Sequence, residues 1–243
     1  MIILNNRPVY VGNFKPIVID GSEPGPTPVN PFPSDMDFVY LANDFDGTKI
    51  PNVVPNSTFG DYLQSGTLVK NGSGSSCYLT KSSGFLYKDL TSAELDNIKA
   101  INSTYTFFIR MMQDSNSSVG GIMSCRYNGG YIYMIRCNNK QLQIHTNIGR
   151  DLGSDFSLAV DRVYKVQISG STFYAKNLET NVDYTLTYST NRSMGTRMTS
   201  FTAWSGVGDE DALDKFYAFA GIPRATTAEE DEQIKKYLLS QGV

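Results

Sequence analysis

One acidic stretch near the C-terminus has the residue types that could hold a metal ion. The segment GVGDEDALDKF carries Asp209, Asp211 and Asp214, together with Glu210. Calcium takes about six to eight oxygen ligands, and carboxylates supply them. The spacing matches no defined calcium loop, so a solvated acidic turn is the competing interpretation. Calcium at these carboxylates stays open, and the sequence predicts no other cofactor.

Aromatic side chains supply a second kind of chemistry, which is stacking against a sugar ring. Trp204 is the single tryptophan, and it alternates with Phe201 and Ala203 in the segment SFTAW. Core packing is the commoner fate of a lone aromatic residue, so both interpretations remain open. Tyr127 and Tyr131 flank an Asn-Gly-Gly hairpin signal and are the exposed alternative.

His145 is the only histidine and the remaining candidate. Its flanks, QLQIHT, place it on the polar face of a strand. Ser-His-Asp hydrolysis would have to use this side chain, and the chain contains no G-x-S-x-G nucleophile elbow. We therefore group His145 with the candidate carbohydrate-binding residues and predict no catalytic residue.

The composition limits the class of protein. With 243 residues and a net charge of −3, the chain has no basic footprint for nucleic acid. Its 21 Gly, 15 Tyr and 13 Phe favour strands joined by turns. No segment approaches the apolar length that crosses a bilayer, so we expect no membrane partner. The N-terminal apolar run Ile2–Leu4 is too short for a signal-peptide core, so we expect synthesis and folding in a cytoplasm.

A helix is predicted at the C-terminus. The run from Thr226 to Glu229 fits a capping box, with further acidic residues in the first turn. Ile234, Tyr237 and Leu238 form a narrow apolar stripe at helical spacing. The helix is therefore expected to dock on the rest of the protein.

Strand patterns dominate from Asp35 onward. The segment RVYKVQIS, for example, directs Tyr164, Val166 and Ile168 to one face. We predict an all-β, two-sheet antiparallel jelly-roll sandwich over residues 35–243, with the short helix at its end. Residues 1–34 are predicted to be an extended N-terminal arm, because five prolines between Pro24 and Pro33 form a semi-rigid spacer.

Several segments together resemble concanavalin A-like and laminin-G-like jelly-roll domains. They are FVYLANDFDGTKIPN, TYTFFIRMM, RVYKVQISGSTFYAKN and KFYAFAGIPRATTAEEDEQIKKYLL. The resemblance implies that the C-terminal helix is a lid over one open end of the sandwich. This family contains sugar-binding modules, adhesion domains and glycoside hydrolases. Its hydrolases carry an E-x-D-x-x-E strand, which this chain lacks, so we predict that the protein is not an enzyme.

The arm suggests how the domain is attached. Two short pieces, Val9, Tyr10 and Val11 and then Ile17, Val18 and Ile19, suit strand addition to the sheet of another protein. The segment VYVGNFKPIVIDG is similar to anchor segments in structural proteins of tailed phages. We therefore expect a virion protein, which is a head decoration, head fibre or tail-associated adhesin docked through its arm to other virion proteins.

The resemblance also implies what the sandwich binds, and host or mucus glycans are its candidate ligands. We separately expect the protein to be a homo-oligomer. The alternative is a secreted, extracellular bacterial module for carbohydrate binding or adhesion.

Overall fold

A computed structural model describes residues 2–4, 7–9, 32–100, 102–114, 119–127, 130–145, 149–187, 197–201 and 214–242. Within these ranges the chain is almost entirely β-structure. The strands and helices, numbered in chain order, are β1 Ile2–Leu4, β2 Arg7–Val9, β3 Phe38–Leu41, β4 Lys49–Ile50, β5 Tyr62–Ser65, β6 Leu68–Asn71, β7 Tyr78–Lys81, β8 Phe85–Asp89, α1 Ser92–Lys99, β9 Thr104–Met112, β10 Val119–Tyr127, β11 Gly130–Asn138, β12 Gln141–His145, β13 Gly149–Asp151, β14 Val163–Ser169, β15 Thr172–Asn177, β16 Asp183–Thr187, β17 Arg197–Ser200, β18 Lys215–Ile222 and α2 Ala228–Ser240. Neither of these two helices has the length and apolar character needed to cross a membrane.

Two antiparallel sheets of eight strands each contain every described strand after β2. In sheet I the order is β16-β15-β14-β9-β18-β7-β6, and β3 also pairs with β18. In sheet II the order is β13-β12-β11-β10-β17-β8-β5-β4. The predicted all-β, two-sheet antiparallel sandwich is therefore confirmed.

The core between the sheets is built by alternation along the strands. Tyr164, Val166 and Ile168 of β14 are fully buried in it, on the face that the sequence predicts. The central strands β9 and β18 are buried along nearly their whole length, because their outer faces are covered as well.

The helix α2 packs on the outer face of sheet I. Ile234 and Leu238 are fully buried in a second apolar cluster with Phe108 of β9 and with Ala218 and Ala220 of β18. These strand residues alternate with residues that fill the core, so the cluster lies on the opposite side of the sheet. The helix therefore covers a sheet face. The family resemblance implies a lid over one open end of the sandwich, and this expectation is wrong.

The N-terminus of α2 is capped one residue later than predicted. Thr227 is the N-cap, since its hydroxyl accepts from the Glu230 amide at 3.2 Å and Glu230 accepts from the Thr227 amide at 2.9 Å. The hydroxyl of Thr226 instead donates to the Asp231 carboxylate at 2.5 Å. The capping box is thus Thr227 with Glu230, and Glu229 has no part in it.

Two buried cations of sheet I hold the ends of α2. Lys165 of β14 lies 2.9 Å from the carboxylate of Asp231 in the first turn. Arg110 of β9 donates to the backbone carbonyl of Leu238 at 3.0 Å, and its guanidinium forms a bidentate pair with Asp161. The helix is therefore fixed by charge at both ends as well as by its apolar stripe.

The structure describes only part of the predicted arm. Val9 lies in β2 and pairs with Ile2 of β1 in a short hairpin. The other predicted docking residues, Tyr10, Val11, Ile17, Val18 and Ile19, lie outside the described residues. Phe32 is buried, and its ring centroid lies 4.4 Å from that of Tyr237 on α2. The division of the chain at residue 34 stays a prediction.

Candidate functional site

The outer faces of the two sheets differ in what covers them. Sheet I carries α2, whereas four neighbouring strands of sheet II present exposed or half-buried side chains on their outer side. These side chains, called the Tyr87 face below, are Lys49, Asp61, Leu63, Tyr87, Asp89 and Arg197. They come from β4, β5, β8 and β17 and from the residue that precedes β5.

The strand register determines which side chains reach this face. Leu63 of β5 pairs with Tyr87 of β8, and Tyr87 pairs with Thr199 of β17. Their neighbours Tyr62 and Leu86 are fully buried in the core. Because successive side chains of a strand point to opposite faces, burial of these neighbours directs Leu63 and Tyr87 outward.

Arg197 organises the polar half of the Tyr87 face. Its Nε and Nη2 donate to the two carboxylate oxygens of Asp89 at 2.5 and 3.0 Å, which is a bidentate pair. The guanidinium carbon lies 4.5 Å from the centroid of the Tyr87 ring. The hydrogen bond from Arg197 lowers the pKa of Asp89 below its ordinary value. Asp89 therefore stays ionised, and with its side chain 62% exposed it can accept further hydrogen bonds.

A second ion pair borders the face on the side of β4. The Lys49 ammonium lies 2.6 Å from the Asp61 carboxylate, which also accepts from the Asn52 amide at 3.1 Å. Burial acts to raise the pKa of Asp61, but the hydrogen bonds from Lys49 and from the Asn52 amide, together with the Lys49 charge, outweigh it. The pKa of Asp61 therefore lies below its ordinary value. Leu63, which is 38% exposed, lies between this pair and Tyr87 in the register.

The chemistry of the Tyr87 face suits a ligand with both apolar and hydroxylated surfaces. Leu63 and Tyr87 form an apolar strip, and the ring centroid of Phe85 lies 6.0 Å from that of Tyr87. Paired charges flank the strip, with carboxylates that accept hydrogen bonds and cations that donate them. An aromatic ring contributes contact area at a small cost in conformational entropy. Such a surface can bind the apolar face of a ring and its polar rim together.

Three of the four predicted carbohydrate-binding residues lie on sheet II. Tyr127 ends β10, Tyr131 lies near the start of β11, and His145 ends β12, where it pairs with Met134. The same register row runs from Tyr87 through Thr199, Ser124 and Met134 to His145. Trp204 lies outside the described residues. The structure thus brings the predicted residues onto three adjacent strands of the sheet that carries the Tyr87 face.

The central residues of the Tyr87 face were not predicted from the sequence. Asp89 and Arg197 are 108 positions apart, and only the pairing of β8 with β17 brings them together. The segment FLYKD indicates a strand, but it carries no sign that Tyr87 and Asp89 face solvent while Leu86 faces the core.

The structure describes only one of the three candidate calcium ligands. Asp209 and Asp211 lie outside the described residues, and the carboxylate of Asp214 accepts a hydrogen bond from the Asp114 amide at 2.6 Å. In the part of the chain that the structure covers, no three His, Cys, Asp or Glu side chains come together as a metal site. Calcium binding at these carboxylates therefore stays open, as it does from the sequence.

A tyrosine–carboxylate pair lies near the start of β3. The Tyr105 hydroxyl donates to the Asp37 carboxylate at 2.8 Å. Burial raises the pKa of Asp37, the hydrogen bond from Tyr105 opposes this shift, and the charge of Glu94 adds to it. Tyr105 is fully buried, so the pair links the residue before β3 to β9 and does not present a hydroxyl at the surface.

No protein-family model and no curated protein matches this chain. Several solved structures share its fold. Trypanosoma rangeli sialidase in complex with sialic acid gives a TM-score of 0.61 at 9% identity, over 86% of this chain and 33% of the sialidase chain. The receptor-binding domain of the botulinum neurotoxin C/D mosaic serotype gives 0.58 at 10% identity, over 83% of this chain and 51% of that chain. Botulinum neurotoxin type C, whose cell entry is described as dependent on interaction with two ganglioside molecules, gives 0.59 at 11% identity, over 84% and 51%.

These likenesses establish the fold alone, because the sequences are so different. The chain spans about a third of the sialidase chain and about half of the toxin chains. The structures that share the fold include both enzymes and a receptor-binding domain.

The prediction that the protein is not an enzyme is therefore wrong. Sialidases are enzymes, and they stand among the structures of the same fold. The chain lacks a strand with paired catalytic carboxylates and a G-x-S-x-G nucleophile elbow, and these absences bear only on the two mechanisms that use them. Sialidases use a tyrosine nucleophile, so the absence of those two motifs excludes no such chemistry.

Proposed function

We propose that the Tyr87 face binds glycans. The observation that carries this proposal is the Tyr87 ring beside the Arg197–Asp89 pair, with the guanidinium 4.5 Å from the ring centroid. The ring supplies apolar contact area, and the carboxylate and guanidinium accept and donate hydrogen bonds in fixed directions. All three side chains stand on paired strands, so little conformational entropy is lost when a ligand orders them.

Structures of the same fold support a glycan as the ligand class. The sialidase structure holds sialic acid, and the type C neurotoxin is described as depending on two gangliosides for cell entry. Both ligands are sugars or carry them. Because this chain shares their fold, we propose the same class of ligand for it.

The proposal is tested by glycan-array screening of the full chain, followed by calorimetry with the glycan that binds. Tyr87→Ala should weaken binding by about tenfold or more, which corresponds to about 1.4 kcal/mol for an aromatic contact at the centre of a site. Tyr174→Ala is the matched control, because Tyr174 is a half-buried tyrosine on β15 of the other sheet. The affinity of the Tyr174→Ala variant for the glycan should equal that of the unaltered chain.

Either of two results would overturn the assignment. Equal affinity of Tyr87→Ala and the unaltered chain would place the glycan elsewhere, with Tyr127, Tyr131 and His145 the next residues to replace. Binding to no glycan on the array would reject the ligand class itself.

We infer further that the sandwich is carried on a virion by the N-terminal segment. The order of elements supports this setting, since two strand-forming pieces precede a proline-rich spacer and then the sandwich. Deletion of residues 1–31 retains Phe32 and its contact with Tyr237, so the sandwich should fold. Mass spectrometry of purified virions should detect the full chain and no truncated chain. Val18→Pro should also reduce incorporation into the virion, because proline cannot donate the backbone hydrogen bond of a paired strand. Particles that contain the truncated chain at full occupancy would exclude the arm as the anchor.

A further inference from the structure

The strand β16, Asp183–Thr187, forms one end of sheet I. Among the described residues β15 is its only partner, with continuous register from Thr172 opposite Thr187 to Lys176 opposite Asp183. A strand in this position presents a row of backbone N–H and C=O groups along its outer edge. Such an edge can pair with a strand of another molecule.

The other strands that have a partner strand on one side only are shorter or are protected. β3, which pairs with β18, has four residues, and the amide and carbonyl of Val39 on its other edge bond to the Asn52 side chain and the Val53 amide. β4 has two residues and β13 has three. β6 carries Lys70, and the side chain of Asn71 donates to the backbone carbonyl of Val69 at 3.0 Å. Lysine and short length are the usual devices against edge-to-edge pairing. β16 has five residues, contains neither lysine nor proline, and pairs with β15 without a bulge.

The sequence of β16 is complementary to itself in the antiparallel direction. Pairing centred on Thr185 sets Asp183 of one copy opposite Thr187 of the other, and Tyr184 opposite Leu186. No like charges face each other in this register. Tyr184 and Leu186 pack against the core, so the second copy would add a Tyr–Leu pair to each end of the same apolar layer.

Other registers are less favourable. A slip of one residue would set the core-facing side chains of one copy against the outward side chains of the other. A slip that centres the pair on Asp183 would bring two carboxylates together. Registers centred on Tyr184 or Leu186 also keep both faces, but they pair only three residues of each strand. The register centred on Thr185 pairs all five residues of β16 and is therefore the most extensive one.

We infer that β16 pairs with β16 of a second copy of this chain, so that sheet I continues across a two-fold axis at Thr185. An antiparallel pair of identical strands generates a closed two-fold dimer, which leaves neither β16 edge free. The inference is independent of glycan binding, although a dimer would present two Tyr87 faces.

The experiment is sedimentation equilibrium of the full chain and of variants at Thr185, whose side chain is exposed. The unaltered chain should be dimeric. Thr185→Lys sets two like charges opposite each other and should weaken the dimer by about fivefold, the factor given by about 1 kcal/mol of repulsion. An equimolar mixture of Thr185→Lys and Thr185→Asp should restore the dimer as a heterodimer. Val69→Lys, on the exposed edge strand β6, is the matched control and should change nothing.

A covalent test accompanies the charge variants. Thr185→Cys should form a disulfide-linked dimer on mild oxidation, because position 185 faces itself across the axis, whereas the unaltered chain with its native cysteines should not. A chain that sediments as a monomer at every concentration would overturn the inference. So would a dimer that is unaffected by Thr185→Lys and is not cross-linked by Thr185→Cys.

Discussion

The ion pair of Lys165 and Asp231 tests how α2 is held on sheet I. Both side chains are buried, 5% and 9% exposed, with the ammonium 2.9 Å from one carboxylate oxygen. The other carboxylate oxygen accepts from the Thr226 hydroxyl at 2.5 Å. Each charge has therefore lost its water and depends on these partners.

Replacing Lys165 by Met should be strongly destabilising. Methionine fills a similar volume, but the Asp231 carboxylate would remain buried without a countercharge. Removing one partner of a buried pair lowers the free energy of unfolding by about 3–5 kcal/mol. For a domain of this size, that loss lowers the melting temperature by about 6–20 °C.

The double variant Lys165→Met/Asp231→Leu separates a buried ion pair from simple packing. It removes both charges and fills the space with apolar atoms, so its stability should return to near that of the unaltered chain. Urea denaturation followed by circular dichroism measures the free energy of unfolding of each variant. Lys236→Met on the same helix is the control, because that side chain is 73% exposed and should contribute less than about 0.5 kcal/mol.

Two outcomes would refute this reasoning. If Lys165→Met costs no more than Lys236→Met, the charge at position 165 is solvated and does not hold the helix. If the double variant loses as much as the two single variants together, Lys165 and Asp231 act independently of each other.

Two further predictions concern the same helix. Leu238→Ala should lower the free energy of unfolding in urea by about 2–5 kcal/mol, since the side chain is fully buried against sheet I, and an unchanged value would mean that the helix is not packed there. The hydrogen bond from Arg224 lowers the pKa of Glu230 to about 2, so the pair stabilises the fold above the ordinary glutamate pKa of 4.5 and this contribution is lost as pH falls towards 2. Glu230→Gln keeps the cap acceptor and should cost about 1–2 kcal/mol at pH 7 after solvent screening, with the difference from the unaltered chain closing by about pH 2. A difference that does not change with pH would show that the ionised pair contributes nothing.

Local patterns were sufficient to predict the all-β class and the existence of the C-terminal helix. The alternation in RVYKVQIS identified Tyr164, Val166 and Ile168 as core residues, and all three are fully buried. The cap of α2 was misplaced by one residue, because Thr226 and Thr227 are both suitable N-caps. The structure gives the Thr226 hydroxyl another partner, the Asp231 carboxylate, which the ammonium of the distant Lys165 also contacts. Only the tertiary structure therefore shows which threonine is the cap.

The candidate site was far less predictable. Tyr127, Tyr131 and His145 were identified by residue type, and the structure places them on the sheet that carries the Tyr87 face. Tyr87 itself was missed, since its meaning depends on Arg197 and Asp89 meeting across β8 and β17. Catalysis was wrongly excluded, because the absence of a motif excludes only the mechanism that requires that motif.

The sequence by itself determined the all-β class, the alternation of core and surface residues, and the amphipathic C-terminal helix. These properties depend on residues a few positions apart in the chain. The side-chain period of a strand or a helix fixes which of these residues share a face. Only the tertiary structure decided that α2 covers the outer face of sheet I, where Ala218 and Ala220 leave room for Ile234 and Leu238. It alone decided which polar residues meet on sheet II. Such contacts join positions far apart in the chain, and they follow from the order and register of strands, which no local pattern encodes.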